Sequence, residues 1–258
     1  MRYGTVNYHL RKPERQAFVI DADGIAGKLI SPELAVTQVA LTDLRGTGAE
    51  AHFDRDGFAF AKAPSRIADF AQGADWRAQY DRELIDLLRD KTGAAEAVIF
   101  DHTLRVDDPE AERRPARNVH GDYSPDGAAA RLIDILGAER AAEWSRGRFA
   151  FINVWRPVGA PINSAPLGFV RPATVAQEDW LEIDLIYPDR RGSIMGLAAN
   201  DGHEWVYLSK MTPEEVVLFN IHDNSGRPSV AHSAVDLIED PAVASIRKSV
   251  ESRTLVRF

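Results

Sequence analysis

Cysteine is absent from the 258 residues of the sequence. This absence excludes disulfide bonds, zinc sites built on thiolates and a cysteine nucleophile. It is compatible with a reducing compartment, and we expect a cytoplasmic protein. Residues 1–4 lack the apolar core of a signal peptide, and no run approaches the roughly 18 apolar residues of a membrane-spanning helix. The sequence therefore predicts neither export nor a membrane partner.

Positive charge is outweighed by negative charge, with 31 lysine and arginine residues against 39 aspartate and glutamate residues and a net charge of −8. Because phosphate backbones are bound by clustered lysine and arginine, we do not expect nucleic acid as a partner. The chain also lacks the glycine-rich motifs of nucleotide sites and the Gly-x-Ser-x-Gly elbow of serine hydrolases. A small-molecule substrate is expected, and the oligomeric state stays open.

Helical signals are concentrated in the first 146 residues. Apolar residues at helical spacing predict a helix over residues 75–91. Ser124 is a candidate N-cap for a second helix that ends before Gly137, and a short third helix is predicted over residues 138–146.

Strands dominate the rest of the chain. They are predicted near residues 16–20, 35–41, 97–100, 118–122, 148–155, 180–186, 193–198, 203–208, 215–222, 230–235 and in the last ten residues. No alternation of strands with helices supports a parallel sheet. We expect a mainly β fold with flanking helices (α+β) and a double-stranded β-helix core, also called a jelly-roll or cupin-like core. The whole chain, residues 1–258, would form one domain, with residues 1–115 packing strands and helices on the barrel and residues 116–258 forming its core.

A His-x-Asp motif at His120 and Asp122 is the main candidate for chemistry. Residues i and i+2 of a strand point to the same face, so the imidazole and the carboxylate would converge. With His232 they would form the two-His-one-carboxylate triad of non-haem Fe(II) oxygenases. The motif alone is weak evidence, because a second copy occurs at His52 and Asp54, where we expect a solvated turn.

The C-terminal segment, residues 247–258, alternates polar side chains. If it is a strand, Arg247, Ser249, Glu251 and Arg253 share one face. An arginine there would bind a carboxylate with its planar fork, and a serine would add a hydroxyl donor. The alternative is a helix that continues from Pro241, with Arg247 and Glu251 as an exposed i,i+4 ion pair.

Motifs in most parts of the chain match a known family. They are Asp-Leu-Arg at 43–45, Asp-Gly-Phe at 56–58, Ala-Pro-Ser at 63–65, Tyr80 with Glu83, Phe-Asp-His at 100–102 with Arg105, His-Gly-Asp-Tyr-Ser at 120–124, Asn-Val-Trp-Arg-Pro at 153–157, Pro-Leu at 166–167, Trp-Val-Tyr at 205–207, Met-Thr-Pro-Glu-Glu at 211–215, Ala-His-Ser-Ala at 231–234 and Arg-Lys-Ser-Val-Glu-Ser-Arg at 247–253. With these motifs the chain resembles the CmcJ/NvfI/AsaB-type hydroxylase/desaturase family, within the Fe(II)/2-oxoglutarate-dependent oxygenases. The strings at 153–157 and 247–253 are the most specific.

This resemblance implies an iron site and a cosubstrate site. The iron ligands, and with them the catalytic centre, would be His120, Asp122 and His232, and Arg247 with Ser249 would bind 2-oxoglutarate. The implied reaction consumes dioxygen, converts 2-oxoglutarate to succinate, and hydroxylates or desaturates a small organic metabolite.

The sequence departs from the family pattern at two places. Val170-Arg171 stands where Cys-Asp is usual, and Asn220 stands where a lysine is common. Either change would alter the choice of substrate, so the resemblance implies no particular substrate.

Other residues leave alternatives open. Asn153 and Trp155 would line a substrate pocket, or Trp155 would be a core residue. Arg156 would bind a substrate carboxylate or a buried acidic partner. His102 and His222 are disfavoured as substitute metal ligands.

Two alternative functions compete with the oxygenase hypothesis. One is a cupin-type dioxygenase or isomerase that uses a metal but no 2-oxoglutarate, and the other is a jelly-roll binding module without catalysis.

Overall fold

The described part of the computed structural model covers residues 2–47, 50–71, 75–237 and 246–258. Its helices are α1 (Phe53–Asp56), α2 (Arg77–Thr92), α3 (Pro125–Leu136) and α4 (Ala138–Trp144). Its strands are β1 (Arg2–His9), β2 (Ala17–Ile20), β3 (Leu29–Ile30), β4 (Leu34–Asp43), β5 (Phe58–Lys62), β6 (Glu96–Val106), β7 (His120–Gly121), β8 (Phe149–Pro157), β9 (Leu167–Val170), β10 (Trp180–Ile186), β11 (Arg191–Leu197), β12 (Trp205–Tyr207), β13 (Glu215–Asp223), β14 (His232–Ala234), β15 (Asp236–Leu237) and β16 (Lys248–Arg257). In these ranges no helix is both long enough and apolar enough to cross a membrane.

Two sheets form the jelly-roll core. The larger has the strand order β15-β1-β4-β12-β9-β14-β7-β11-β10-β2-β3, and the smaller has the order β5-β13-β8-β16-β6. Apolar side chains from both sheets fill the space between them, and the ring of Phe58 on β5 stacks on that of Phe169 on β9 with centroids 5.0 Å apart. The predicted mainly β fold with a double-stranded β-helix core is confirmed.

Strand β8 crosses the middle of the smaller sheet and is buried on both faces. Phe149, Phe151 and Trp155 point into the core between the sheets. The alternate residues Ile152 and Val154 pack on the other side with α2. Two apolar faces are required here because a helix covers the outer surface of this sheet.

The predicted helices are confirmed to within a few residues. Helix α2 ends at Gly93, whose φ of 73° is the left-handed conformation that glycine adopts easily. Helix α3 begins after Ser124, whose hydroxyl accepts a hydrogen bond of 3.0 Å from the backbone N–H of Gly127. The second His-x-Asp copy lies at the start of the short α1, with His52 just before the helix, Asp54 in its first turn and both residues exposed.

The strand expected over residues 118–122 is shorter than predicted, since β7 contains only His120 and Gly121. The C-terminal segment is the strand β16, so a helix through Arg247 and Glu251 is wrong. Pro241, where that helix would begin, lies outside the described residues.

The expected division at residue 115 does not separate the sheets. Strands β1 and β4 belong to the larger sheet, and β5 and β6 are the two edges of the smaller one. The N-terminal strands are thus hydrogen-bonded members of the barrel walls, whereas the sequence predicted a layer packed on them.

Candidate metal centre and cosubstrate pocket

His120, Asp122 and His232 form a cluster in which one potential ligand atom from each lies within 4.8 Å of the others. The Nε2 atom of His120 is 3.3 Å from Oδ1 of Asp122, and Nε2 of His232 is 3.8 Å from the same oxygen. The two imidazole centroids are 4.5 Å apart. All three side chains are largely buried. Three donors converging on one point, with the remaining directions open, match the facial triad of non-haem iron sites.

Strand pairing brings the two histidines together. β7 and β14 run antiparallel, and His120 and His232 are direct partners across the pair. Side chains at such positions leave the same face of the sheet a few ångströms apart. Asp122 follows β7 by one residue and turns back to the same side. His120 and His232 are far apart in the sequence, and the pairing of β7 with β14 brings them together.

Both imidazoles are oriented by backbone carbonyls. Nδ1 of His120 donates to the carbonyl of Asn118 at 2.8 Å, and Nδ1 of His232 donates to that of Val230 at 3.1 Å. A carbonyl only accepts, so each Nδ1 carries a hydrogen, and Nε2 is the nitrogen left to bind a metal.

The charge states of the cluster suit a cation. Burial and the nearby His120 lower the pKa of His232 to about 4, so this imidazole is neutral at physiological pH. Burial by itself would raise the pKa of Asp122. The hydrogen bond with His120 and the positive charge of Arg253 outweigh that effect and hold this pKa well below its usual range. A neutral imidazole and a carboxylate are the forms of these groups that bind a divalent metal.

Asn153 and Arg253 both contact Oδ2 of Asp122, the carboxylate oxygen that faces away from the imidazoles. The side-chain amide of Asn153 donates to Oδ2 of Asp122 at 2.7 Å, and Nε of Arg253 is 3.6 Å from that oxygen. Oδ1 is left facing the imidazoles. Asn153, predicted to line the substrate pocket, thus contacts a candidate metal ligand and fixes its orientation.

Replacing Asn153 by alanine is expected to weaken metal binding by about 10- to 100-fold, because an unsupported carboxylate rotates away from its bound orientation. Titration of the metal-free variant with Fe(II) under anaerobic conditions measures this loss, and thermal unfolding of the same sample measures the fold. A purely structural role predicts the reverse pattern, with reduced stability and unchanged metal affinity.

A pocket with about 290 Å³ of empty space, part of which is open to solvent, adjoins the cluster. The residues that line it include His120, His232, Trp155, Leu167, Arg247 and Glu251. One pocket therefore reaches from the two imidazoles to the arginine that the sequence singled out.

Arg247 and Ser249 present unsatisfied donors in this region. Arg247 is 3% exposed, its guanidinium lies 5.2 Å from the ring centroid of Trp155, and Nη1 donates to the carbonyl of Ala165. Among the described residues, Nε of Arg247 and the buried hydroxyl of Ser249 have no hydrogen-bond partner. Unpaired buried polar groups are rare, so these donors fit a bound carboxylate. Trp155 accordingly both packs in the core and lines the cavity.

The comparisons with known proteins agree with this geometry. A family model described as "Oxidoreductase/YMDC permease-like domain" matches residues 6–257. The chain is 30% identical to hydroxylase/desaturase efuI of Hormonema carpetanum over 248 residues, which cover 84% of this chain and 82% of the relative. The chain belongs to this hydroxylase/desaturase family of Fe(II)/2-oxoglutarate-dependent oxygenases.

Two further relatives show how far the similarity extends. The alpha-ketoglutarate-dependent dioxygenase phiK of a fungal species is 28% identical over 265 residues, which cover 95% of this chain and 93% of the relative. In the solved structures, a variant of the iron and alpha-ketoglutarate-dependent endoperoxidase NvfI superposes with a TM-score of 0.88 at 23% identity, covering 100% of this chain and 98% of the other. The structural similarity to NvfI shows that the two proteins share a fold.

The two departures from the hydroxylase/desaturase pattern have local explanations. Arg171 lies 3.7 Å from both Asp56 and Glu204, in a surface group of charges. The buried side-chain amide of Asn220 donates to two backbone carbonyls, at 3.2 and 3.0 Å. These contacts involve residues other than the three candidate ligands.

Arg156 does not lie with the other predicted site residues of this family member. It belongs to the face of β8 that packs under α2, where Nε donates to the hydroxyl of Tyr80 at 2.8 Å and Nη1 to the carbonyl of Pro213 at 3.1 Å. Its partners are neutral oxygens, so neither the substrate carboxylate nor the buried acidic partner considered from the sequence is present among these contacts.

His102 and His222 also lie apart from the cluster. His102 bonds to Asp81 at 2.8 Å and to Ser252 at 2.9 Å, which connects α2 to β16. The ring of His222 packs near Phe149 and Phe151.

The sequence interpretation missed the role of Arg253. Its guanidinium lies 2.6 Å from Asp101, 2.8 Å from Glu251 and 3.6 Å from Asp122. The alternation of residues 247–253 already placed Arg253 on the face of Arg247 and Ser249. The sequence did not indicate that Arg253 contacts Asp122, because no local pattern relates β16 to the loop after β7.

Proposed function

We propose that this oxygenase hydroxylates or desaturates a small organic molecule, with His120, Asp122 and His232 as the iron ligands and with Arg247 and Ser249 binding the distal carboxylate of 2-oxoglutarate. The observation that carries the proposal is a pocket lined both by His120 and His232 of the donor cluster and by Arg247, whose Nε is unpaired like the hydroxyl of Ser249 two residues along the chain. We also propose that residues 1–258 act as one oxygenase domain and that the protein is cytoplasmic.

The residues have separate tasks in this proposal. The cluster of two imidazoles and one carboxylate would hold Fe(II), and Asn153 and Arg253 would keep the carboxylate oriented. Bound iron and 2-oxoglutarate supply the oxidising chemistry, in which dioxygen is consumed and 2-oxoglutarate is converted to succinate and carbon dioxide. Arg247 is buried, and the low dielectric constant of buried surroundings strengthens its attraction to a carboxylate.

An anaerobic titration tests the pairing of metal and cosubstrate. Adding 2-oxoglutarate to the protein with Fe(II) is expected to produce a weak visible charge-transfer band, because the keto acid chelates the metal. A band that fails to form, together with turnover that is independent of 2-oxoglutarate, would favour the cupin-type alternative. Failure to bind Fe(II) at all would favour a binding module.

Substrate class is tested separately, by succinate release over a panel of small molecules. The similar proteins include a hydroxylase/desaturase and an endoperoxidase, so product analysis must distinguish gain of an oxygen atom from loss of two hydrogen atoms. We expect stimulation by small carboxylate-bearing or amphipathic molecules. Stimulation by nucleic acid or protein substrates alone would contradict the proposal.

A further inference from the structure

Arg105 faces the same cavity as Arg247 but comes from another strand. Strands β6 and β16 are antiparallel, and Arg105 is the direct partner of Ser249. Partners in such a ladder leave the same face of the sheet, so Arg105 points to the interior beside the Ser249 hydroxyl. Arg105 and Arg247 both line the cavity that reaches the imidazoles.

Neither guanidinium forms an ion pair among the described residues. The acidic groups that act on them, which include Glu251 for both and Asp107 for Arg247, lie beyond ion-pair distance. Their Nη1 atoms instead donate to backbone carbonyls, at 2.9 Å to Arg114 for Arg105 and to Ala165 for Arg247.

Arg253 shows the opposite environment on the same sheet. Its guanidinium contacts the carboxylates of Asp101, Glu251 and Asp122. The acidic groups of this wall are thus gathered around one arginine near the metal ligands. Glu251 also lines the cavity, but it forms its ion pair with Arg253, so the described residues give Arg105 and Arg247 no ion-pair partner of their own.

The guanidinium groups of Arg105 and Arg247 repel each other when no anion lies between them. Burial and then the nearby charge of Arg105 lower the pKa of Arg247 to about 9. Burial likewise lowers the pKa of Arg105. An anion placed between the two groups relieves both the desolvation and the repulsion, because a carboxylate has about four acceptor sites and accepts from two guanidinium groups at once.

We propose that Arg105 is a second binding residue for the distal carboxylate of the cosubstrate, and that Arg105, Arg247 and Ser249 form an anion site that holds a dicarboxylate without the metal. This inference rests on the proposed 2-oxoglutarate function. It adds a residue from β6 to the binding site, and it makes the cosubstrate pocket independent of iron.

Glutarate is the probe that isolates this site. It has the two carboxylates of 2-oxoglutarate but lacks the keto group, so its binding reports on the carboxylate contacts. We expect calorimetry on the protein in excess EDTA to detect glutarate binding by the wild type. We expect Arg105→Gln to weaken this binding at least tenfold and Arg105→Lys to weaken it less, since lysine keeps the charge without the planar fork.

Arg89→Gln is the matched control, because it removes the same charge from an exposed position in α2. Its glutarate affinity should equal that of the wild type. A purely structural role for Arg105, in which it only holds the carbonyl of Arg114, predicts lower thermal stability with unchanged glutarate affinity. Unchanged affinity in folded Arg105→Gln, or absence of glutarate binding by the metal-free wild type, overturns the proposal.

Failure of the role proposed for Arg105 can be distinguished from failure of the proposed oxygenase function. If Arg247→Ala loses 2-oxoglutarate binding in the presence of Fe(II) while Arg105→Gln does not, the oxygenase assignment stands and the role of Arg105 is wrong. If the wild type binds no 2-oxoglutarate with Fe(II) present, the proposed function itself fails.

Discussion

Replacement of His120, Asp122 or His232 by alanine is expected to abolish turnover and to remove most of the affinity for Fe(II). The described cluster has three donors and no fourth histidine or carboxylate within the same distance to replace a lost one. Metal affinity in such open sites depends on every ligand. Anaerobic Fe(II) titration measures the loss, and succinate release measures the turnover.

The fold should survive these substitutions, which thermal unfolding of the metal-free variants will show. His52→Ala is the matched control, because His52 belongs to the second His-x-Asp copy and is exposed beside α1. It should bind iron as the wild type does. Equal Fe(II) binding by the wild type and His232→Ala would refute the proposed ligand set.

Arg247→Ala is expected to raise the 2-oxoglutarate requirement by at least tenfold while leaving Fe(II) affinity near that of the wild type. Truncating one partner of a buried charge pair costs about 2–5 kcal/mol, since the other charge stays desolvated. At about 1.4 kcal/mol per factor of ten, the cosubstrate would bind roughly thirtyfold to several thousandfold more weakly. Succinate release against 2-oxoglutarate concentration measures the shift.

Three more variants sharpen this test. Arg247→Lys should recover part of the affinity, because an ammonium group cannot form the two-pronged contact. Ser249→Ala should lose about 1.5–3 kcal/mol, the value of one hydrogen bond to a charged group. Arg257→Ala is the control on the same strand, since Arg257 pairs with Glu96 and Glu143 away from the cavity. A curve for Arg247→Ala that coincides with that of Arg257→Ala would place the carboxylate site elsewhere.

Local alternation predicted the parts of the site that lie on one strand. The shared face of Arg247, Ser249 and Arg253 follows from the period of two in β16. The convergence of His120 and Asp122 was predicted in the same way, although β7 is only two residues long. His232 is different, because its position opposite His120 depends on the pairing of β14 with β7. The family resemblance supplied that long-range link.

The alternation of polar and apolar residues could not assign side chains to a face where both faces of a strand are buried. Every residue of β8 is buried, so the sequence shows no polar face that distinguishes the cavity side from the α2 side. The sequence therefore left Arg156 between a substrate carboxylate and a buried acidic partner, whereas its guanidinium bonds to Tyr80 under the helix. Asn153 shares a face with Trp155 as predicted, but its partner Asp122 lies in the loop after β7 and no pattern within β8 indicates it.

If Arg247 binds 2-oxoglutarate as proposed, the regular ladder of β16 would fix the cosubstrate length that the enzyme accepts. Ser249, Glu251 and Arg253 pair in unbroken register with β6, and Arg247 immediately precedes the strand. A strand advances about 3.4 Å per residue and returns to the same face only every second residue. Evolution towards a longer or shorter keto acid would therefore have to move the arginine in steps of about 7 Å. A single inserted residue between Arg247 and Arg253 would turn one of them to the opposite face, so this segment tolerates substitution far better than insertion.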